Sequence, residues 1–284
     1  VVNVLIGCLS YTPRVIDTHC HLTFPDYLPE NYPGAIDAVM RAADSSGVTG
    51  AITISTTTQD CLTCLKIAKS HPRIWCTAGV HPLYSDQGPH DWQNLRFVAS
   101  DPKCVAWGEL GLDSHYDDPP KSIQRAVLDE QLAFIESSGI TKPVEIHCRK
   151  AFEELIPILK SSSLAPDKFV FHCFTGTPAD MRLLLDFGAH VSLTGVITYK
   201  NADDIRAAVK LAPLDRIMVE TDAPFLAPDI PSVDGKRPTR PKLNEPRHVR
   251  VIAEKLAEIK GLPFDEMHRI LNDNTSRFFG IDAR

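Results

Sequence analysis

The sequence predicts an α/β fold, and within that class a (β/α)8 TIM barrel. Three observations lead there. Short runs rich in valine and isoleucine alternate with longer stretches of helical spacing, and eight such runs stand in order along the chain. Strand-then-helix repetition implies parallel strands with right-handed crossovers. The runs are almost continuously apolar, as strands buried on both faces are. Finally, 284 residues is a length that one such barrel commonly fills, so residues 1–284 are read as a single domain.

Taken in order, the strand runs are "RVIDTH" from Arg14, "GAITIS" from Gly50, "IWCTAGV" from Ile74 and "CVAWGEL" from Cys104. "PVEIH" from Pro143, "KFVFHC" from Lys168, "HVSLTG" from His190 and "RIMVET" from Arg216 complete the set. The intervening spacing predicts helices over 35–46, 60–70, 91–100, 122–138, 151–160, 178–187 and 202–211. An eighth helix is expected to begin near Glu245, after a long loop, and a terminal one near Phe264. The opening "VVNVLIGCLS" is apolar but has no basic leader and no clear cleavage site, so 1–13 is read as an N-terminal extension, not a signal peptide.

Composition narrows the function. No apolar run reaches the roughly 18 residues of a membrane span. A net charge of −6 argues against a general nucleic-acid coat, though not against one local basic patch. Eight scattered cysteines in a chain of this size read as reduced thiols, hence a cytoplasmic setting. The lone C-x-x-C, Cys61 and Cys64, has no second pair and is read as helix packing.

The informative residues stand where strands end. In "VIDTHCHL", strict alternation puts Asp17, His19 and His21 on one face, with Thr18 and Cys20 on the other. "GVHP" carries His81, "GELGLD" carries Glu109 and Asp113, "EIHCR" carries His147 and Arg149, "FHCFTG" carries His172, and "ETDAP" carries Asp222. In a barrel these ends share one rim, where such folds do their chemistry. Imidazoles and carboxylates together suit magnesium, manganese or zinc. His19, His21, Glu109, His147, His172 and Asp222 exceed one tetrahedral set. Two divalent ions sharing the Glu109 carboxylate fit better, in the manner of two-metal phosphoesterases.

The series "DTHCHL", "GVHP", "GELGLD", "IHCR", "HCFTG", "ETDAPFLAP" and "NEP", closed by "NDNTSRFFGI", resembles the TatD family of metal-dependent deoxyribonucleases in the amidohydrolase superfamily. The resemblance implies that His19 and His21 bind one ion with Glu109 and Asp222, and that His147 and His172 bind the second. Glu109 would bridge, and Asp222 would orient or deprotonate the attacking water. Asp17 would act behind the ligands, on a histidine or nearby backbone. Two departures stand out. Ser114 and His115 occupy positions where the family more often has aromatics, and Cys20, Cys148 and Cys173 adjoin ligand histidines. Cys20 and Cys173 are expected to face the helical layer.

Arg149 is expected to fork onto a substrate phosphate, against an ion pair with a loop carboxylate. His81 is read either as a phosphate contact or as a capping histidine. Asp113 is read as supporting the ligands. The loop from Lys236 to Arg250 carries Lys236, Arg237, Arg240, Lys242, Arg247 and Arg250 against Glu245, and is expected to form a basic lip tracking phosphates. Phe24, Phe174, Tyr199 and Phe225 lie near strand ends and are candidates to stack on unpaired bases. The function expected is an exonuclease on single-stranded DNA ends, acting as a monomer. The alternatives are a hydrolase of a small amide, lactone or phosphoester, and a non-catalytic nucleic-acid scaffold.

Overall fold

The computed structural model describes residues 14–32, 34–232 and 237–283. The expected N-terminal extension and Lys236 lie outside them. The strands are β1 (Val15–Cys20), β2 (Val48–Thr53), β3 (Ile74–Ala78), β4 (Cys104–Asp113), β5 (Val144–Arg149), β6 (Phe169–Phe171), β7 (His190–Leu193) and β8 (Ile217–Val219). All adjacent pairs are parallel and follow chain order. The helices are α1 (Ala35–Ser45), α2 (Asp60–Ser70), α3 (Trp92–Ala99), α4 (Lys121–Ser138), α5 (Phe152–Ser161), α6 (Pro178–Phe187), α7 (Asp203–Leu211), α8 (Val249–Lys260) and α9 (Phe264–Phe279). This is the barrel that the alternation predicts. No described helix is long and apolar enough to cross a membrane.

The barrel closes at the β1–β8 seam, through residues that also carry the chemistry. The Asp222 N–H donates to the His19 carbonyl at 2.9 Å, and the His21 N–H donates to the Ala223 carbonyl at 2.7 Å. Two apolar layers hold the cylinder. Cys20, Trp107, Ile146, Phe171 and Leu193 face outward onto Leu132, Leu155, Leu184, Val209 and Leu256 of the helices. Inside, Ile16, Ile52, Ala106, Val170 and Met218 pack against Phe279 and Ile281, which plug the floor. The upper interior is left to polar groups.

The departures from expectation have local causes. The register of β1 against β2 shifts between Asp17 and Cys20, so alternation fails there. Asp17 turns to the seam instead, accepting the Thr221 N–H at 2.8 Å and the Thr221 hydroxyl, and also the His19 N–H at 3.3 Å. Cys20 packs into the outer layer as expected. Cys173 stands apart from that layer: its backbone sits at φ 47°, its thiol lies 3.8 Å from Thr194 Oγ1, and the residue borders the cavity above the barrel. The runs "KFVFHC" and "RIMVET" stop being strand at Phe171 and Val219, which frees His172 and Asp222 to lie on the rim. The eighth helix begins at Val249, after a short 3-10 turn over Pro246–His248. Cys61 and Cys64 are buried in α2, and the described cysteines are free thiols.

Only glycine fits at position 111. Its φ is +150°, and an added Cβ would lie 1.9 Å from the His147 carbonyl oxygen. Gly111→Ala is therefore expected to destabilise the fold by on the order of 3–4 kcal/mol, read from chemical denaturation midpoints; an unchanged midpoint would contradict this packing.

Candidate metal centre

The centre is organised around Glu109, whose side chain is 1% exposed. Its Oε1 lies 2.6 Å from His172 Nε2, 2.8 Å from His147 Nδ1 and 3.3 Å from His81 Nε2. Its Oε2 lies 3.6 Å from His19 Nε2 and has no hydrogen-bond partner among the described residues. His19 Nε2 and His21 Nε2 are 3.2 Å apart. Both approach Asp222 Oδ1, at 3.5 and 3.3 Å. The six residues singled out for metal binding thus meet at one place.

A ring of acids behind the histidines sets which nitrogen faces inward. His19 Nδ1 is 2.6 Å from Glu145 Oε1, and His147 Nε2 is 3.0 Å from Asp113 Oδ2. His172 Nδ1 is 3.4 Å from Glu220 Oε1. With the outer nitrogens of His19 and His147 donating, their inner nitrogens point at the cluster; His172 Nδ1 lies beside Glu220 without a hydrogen bond among the described residues. Asp113 is fixed in turn by the His115 and Tyr116 N–H groups, at 2.8 and 3.2 Å. The sequence reading missed Glu145 and Glu220. The available signal was a carboxylate inside an apolar strand run, in phase with a ligand: Glu145 with His147, Glu220 with Asp222.

His81 is built differently. Its Nδ1 accepts the Leu83 N–H at 3.0 Å, capping a short 3-10 turn, so the neutral ring carries its proton on Nε2. Burial pushes its pKa down, which keeps it neutral. It therefore presents an N–H donor, not a lone pair, to the cluster.

The charges are strongly coupled. Burial works to raise the Glu109 pKa, but the charge of His172 and the hydrogen bonds from His147 and His172 outweigh it and hold the carboxyl well below its usual range. Burial likewise opposes protonation of His172, yet Glu109 holds that imidazolium well above its ordinary value. Burial and His172 drive His19 well below. A buried carboxylate oxygen without a partner, ringed by imidazole nitrogens that crowd to 3.2 Å, is a donor set suited to a divalent cation. His19, His21 and Glu109 form one compact donor group, and His19, His172 and Asp222 another.

The rim is held by the "NEP" segment. The buried Asn244 Nδ2 donates to the Thr221 carbonyl at 2.9 Å and to that of Phe225, bracketing Asp222. Its Oδ1 takes His248 Nδ1 at 2.9 Å.

Above the cluster opens a cavity of about 1250 Å³. Arg149, Lys121 and Lys150 line it. Arg149 lies over the Tyr116 ring at 5.2 Å and makes no ion pair among the described residues. Among the described residues, those of the basic lip expected after β8 do not line this cavity. Arg240 pairs with Asp229 at 2.9 Å and stacks on Tyr199 at 3.7 Å, which offsets its charge and covers the ring. Arg247 pairs with Glu245, and Arg250 with Glu254. Arg237 is exposed outside the cavity. Phe174 is 1% exposed and unavailable for stacking, whereas Phe24 and Phe225 line the mouth. Ser114 and His115 line it as well.

The profile of the family described as TatD related DNase matches residues 16–280. The chain belongs to the TatD family. A TatD relative named uncharacterized metal-dependent hydrolase YcfH, from Escherichia coli K12, is 34% identical over 95% of this chain and 97% of its own length. A protein named 3'-5' ssDNA/RNA exonuclease TatD, from Enterobacter lignolyticus, is 32% identical over 94% of this chain and 99% of its own. Among solved structures, the TatD homolog YjjV of Escherichia coli K12 superposes with a TM-score of 0.80 at 29% identity, covering 95% of this chain and 99% of that one. As a TatD protein the chain is a metal-dependent hydrolase.

Two predictions follow the acids. Glu145→Gln removes the carboxyl acceptor behind His19 Nδ1 and should weaken divalent-ion binding about 10–100-fold; calorimetry giving an unchanged affinity would contradict the positioning role. Burial works to raise the Asp113 carboxyl, but His147 and two backbone N–H groups hold it at about 2. Because the folded value is depressed, its stabilisation is full above the unfolded value near 4, and about 2 kcal/mol is lost as pH falls through 2. Metal-free Asp113→Asn should lack that acid limb; parallel stability curves for the two proteins down to pH 2 would contradict it.

Proposed function

We propose that this TatD protein is a two-metal phosphodiesterase acting on the ends of single-stranded DNA. The observation that carries the reading is the position of Glu109. One oxygen faces His147 and His172, the other faces His19, and all three imidazoles present nitrogen to it under an open, partly cationic cavity. The name of the Enterobacter relative supports a nuclease.

His19, His21 and Asp222 would hold one divalent ion and His147 and His172 the other, with Glu109 between. Such ions acidify a water and offset charge on a phosphoryl group. The chain's own side chains do the rest. Asp222, on the rim beside His19 and His21, orients the attacking water and takes its proton through the carboxylate oxygen not facing those histidines. The His81 Nε2–H donates to a phosphate oxygen and supports developing negative charge. The Arg149 guanidinium, pre-oriented over Tyr116, forks onto the neighbouring phosphate. Asp113 and Glu145 keep His147 and His19 from turning.

Asp222→Asn should lower cleavage of end-labelled single-stranded DNA by about 10³-fold or more with unchanged thermal melting. Chelator should abolish wild-type cleavage, and Mg²⁺ or Mn²⁺ should restore it. Wild-type protein that turns over small esters or lactones but never DNA would overturn the nuclease reading, and full activity of Asp222→Asn would overturn the mechanism.

A further inference from the structure

On the β4–β5 side the cavity mouth is lined by Lys121, Arg149 and Lys150, with the Tyr116 ring under the Arg149 guanidinium. Across the barrel, past β1 and β8, it carries two phenylalanines. Phe24 lies 4.8 Å from His21, with 29° between the ring planes, so it lies nearly flat on an imidazole of the metal cluster. Phe225 meets Phe24 edge-to-face, with centroids 5.6 Å apart at 84°. Phe225 is 50% exposed. A phenylalanine left half in water forgoes much of the stabilisation its burial would contribute. It is nevertheless held firmly in place: the Phe225 N–H donates to the Asp222 carbonyl at 2.9 Å, and its own carbonyl accepts from Asn244. A π surface thus runs from the ligand cluster to the solvent edge of the mouth.

We infer that Phe24 and Phe225 form a seat for the base of the nucleotide whose phosphate lies at the metal centre. The inference rests on the nucleic-acid reading above and deepens it. A nucleotide is an anion joined to a flat aromatic ring, and the cavity offers cations, a metal cluster and a ring face in that order across its mouth. An aliphatic amide or lactone gains little from a ring face and has no charge for Arg149. Stacking is tolerant of base identity because every base has a π face, so the seat would grip any base without reading sequence. Of the other rings, Phe174 is in the core, Tyr199 lies under Arg240 and Tyr116 lies under Arg149.

The test uses full-length protein with Mg²⁺ and two probes, thymidine 5′-monophosphate and 2-deoxyribose 5-phosphate, which differ by the base alone. Wild type should bind the nucleotide at least tenfold more tightly. Phe225→Ala should bring the two affinities within about twofold, chiefly by weakening the nucleotide, and Phe225→Trp should restore the preference. Phe97→Ala, at an exposed ring on α3 away from the cavity, serves as control and should change neither affinity. Equal affinities in wild type, a preference that survives Phe225→Ala, or no binding of either probe would each overturn the seat. Oligonucleotide cleavage is scored separately: a base preference without cleavage retires the nuclease reading and leaves the seat standing.

Discussion

A carboxylate that has left water must be compensated, and Glu109 is the point where this barrel meets that requirement. At 1% exposure it cannot be solvated, and one of its oxygens has no hydrogen-bond partner among the described residues. Burying an isolated ionised carboxyl costs far more than any single contact returns. The fold answers with imidazoles from four strand ends: His19 after the bulge of β1, His81 beyond β3, His147 on β5 and His172 past β6. Three of those histidines stand against acids, His19 on Glu145, His147 on Asp113 and His172 beside Glu220, so the polar interior is layered. Each acid beneath stands against a ring above, and each ring above faces Glu109. Barrel closure belongs to the same arrangement, since the backbone bonds that seal β8 to β1 run through His19, His21, Asp222 and Ala223.

Much of this was legible in the sequence. The barrel could be read because valine and isoleucine runs recur with helices between, and the observed strands fall inside or beside those runs. The convergence of His19, His21, Glu109, His147, His172 and Asp222 could be read because a parallel barrel brings every strand's C-terminal end to one rim. What failed was whatever depended on the precise phase of a strand end. The shift in β1 sends Asp17 to Thr221, and the positive φ of Cys173 breaks the alternation that would have put it in the outer layer. Alternation rules hold only while the ladder is regular, and an active rim is where ladders stop.

Charge was the least legible property. The stretch from Arg237 to Arg250 is rich in arginine, but composition does not show where partners lie. Asp229, Glu245 and Glu254 take up Arg240, Arg247 and Arg250, and Tyr199 is covered in the process. The cationic wall comes instead from Arg149 at the end of β5, Lys150 next to it and Lys121 at the start of α4, which together make no basic stretch in the sequence. Glu145 and Glu220 were overlooked for a related reason. Inside an apolar strand word a single acid looks like an exception, whereas in the barrel it stands behind a ligand. TatD membership, carried by the match over residues 16–280, fixes the hydrolase class and the fold but leaves the occupant of the cavity to its own walls.

The central claim is that two divalent cations sit astride Glu109. Anomalous diffraction from a crystal soaked in Mn²⁺ tests it most directly. The account predicts two manganese peaks flanking the Glu109 carboxylate, one within ligand distance of His19 and His21, the other of His147 and His172. Manganese absent from this cluster, or a single peak out of reach of Glu109, would contradict it.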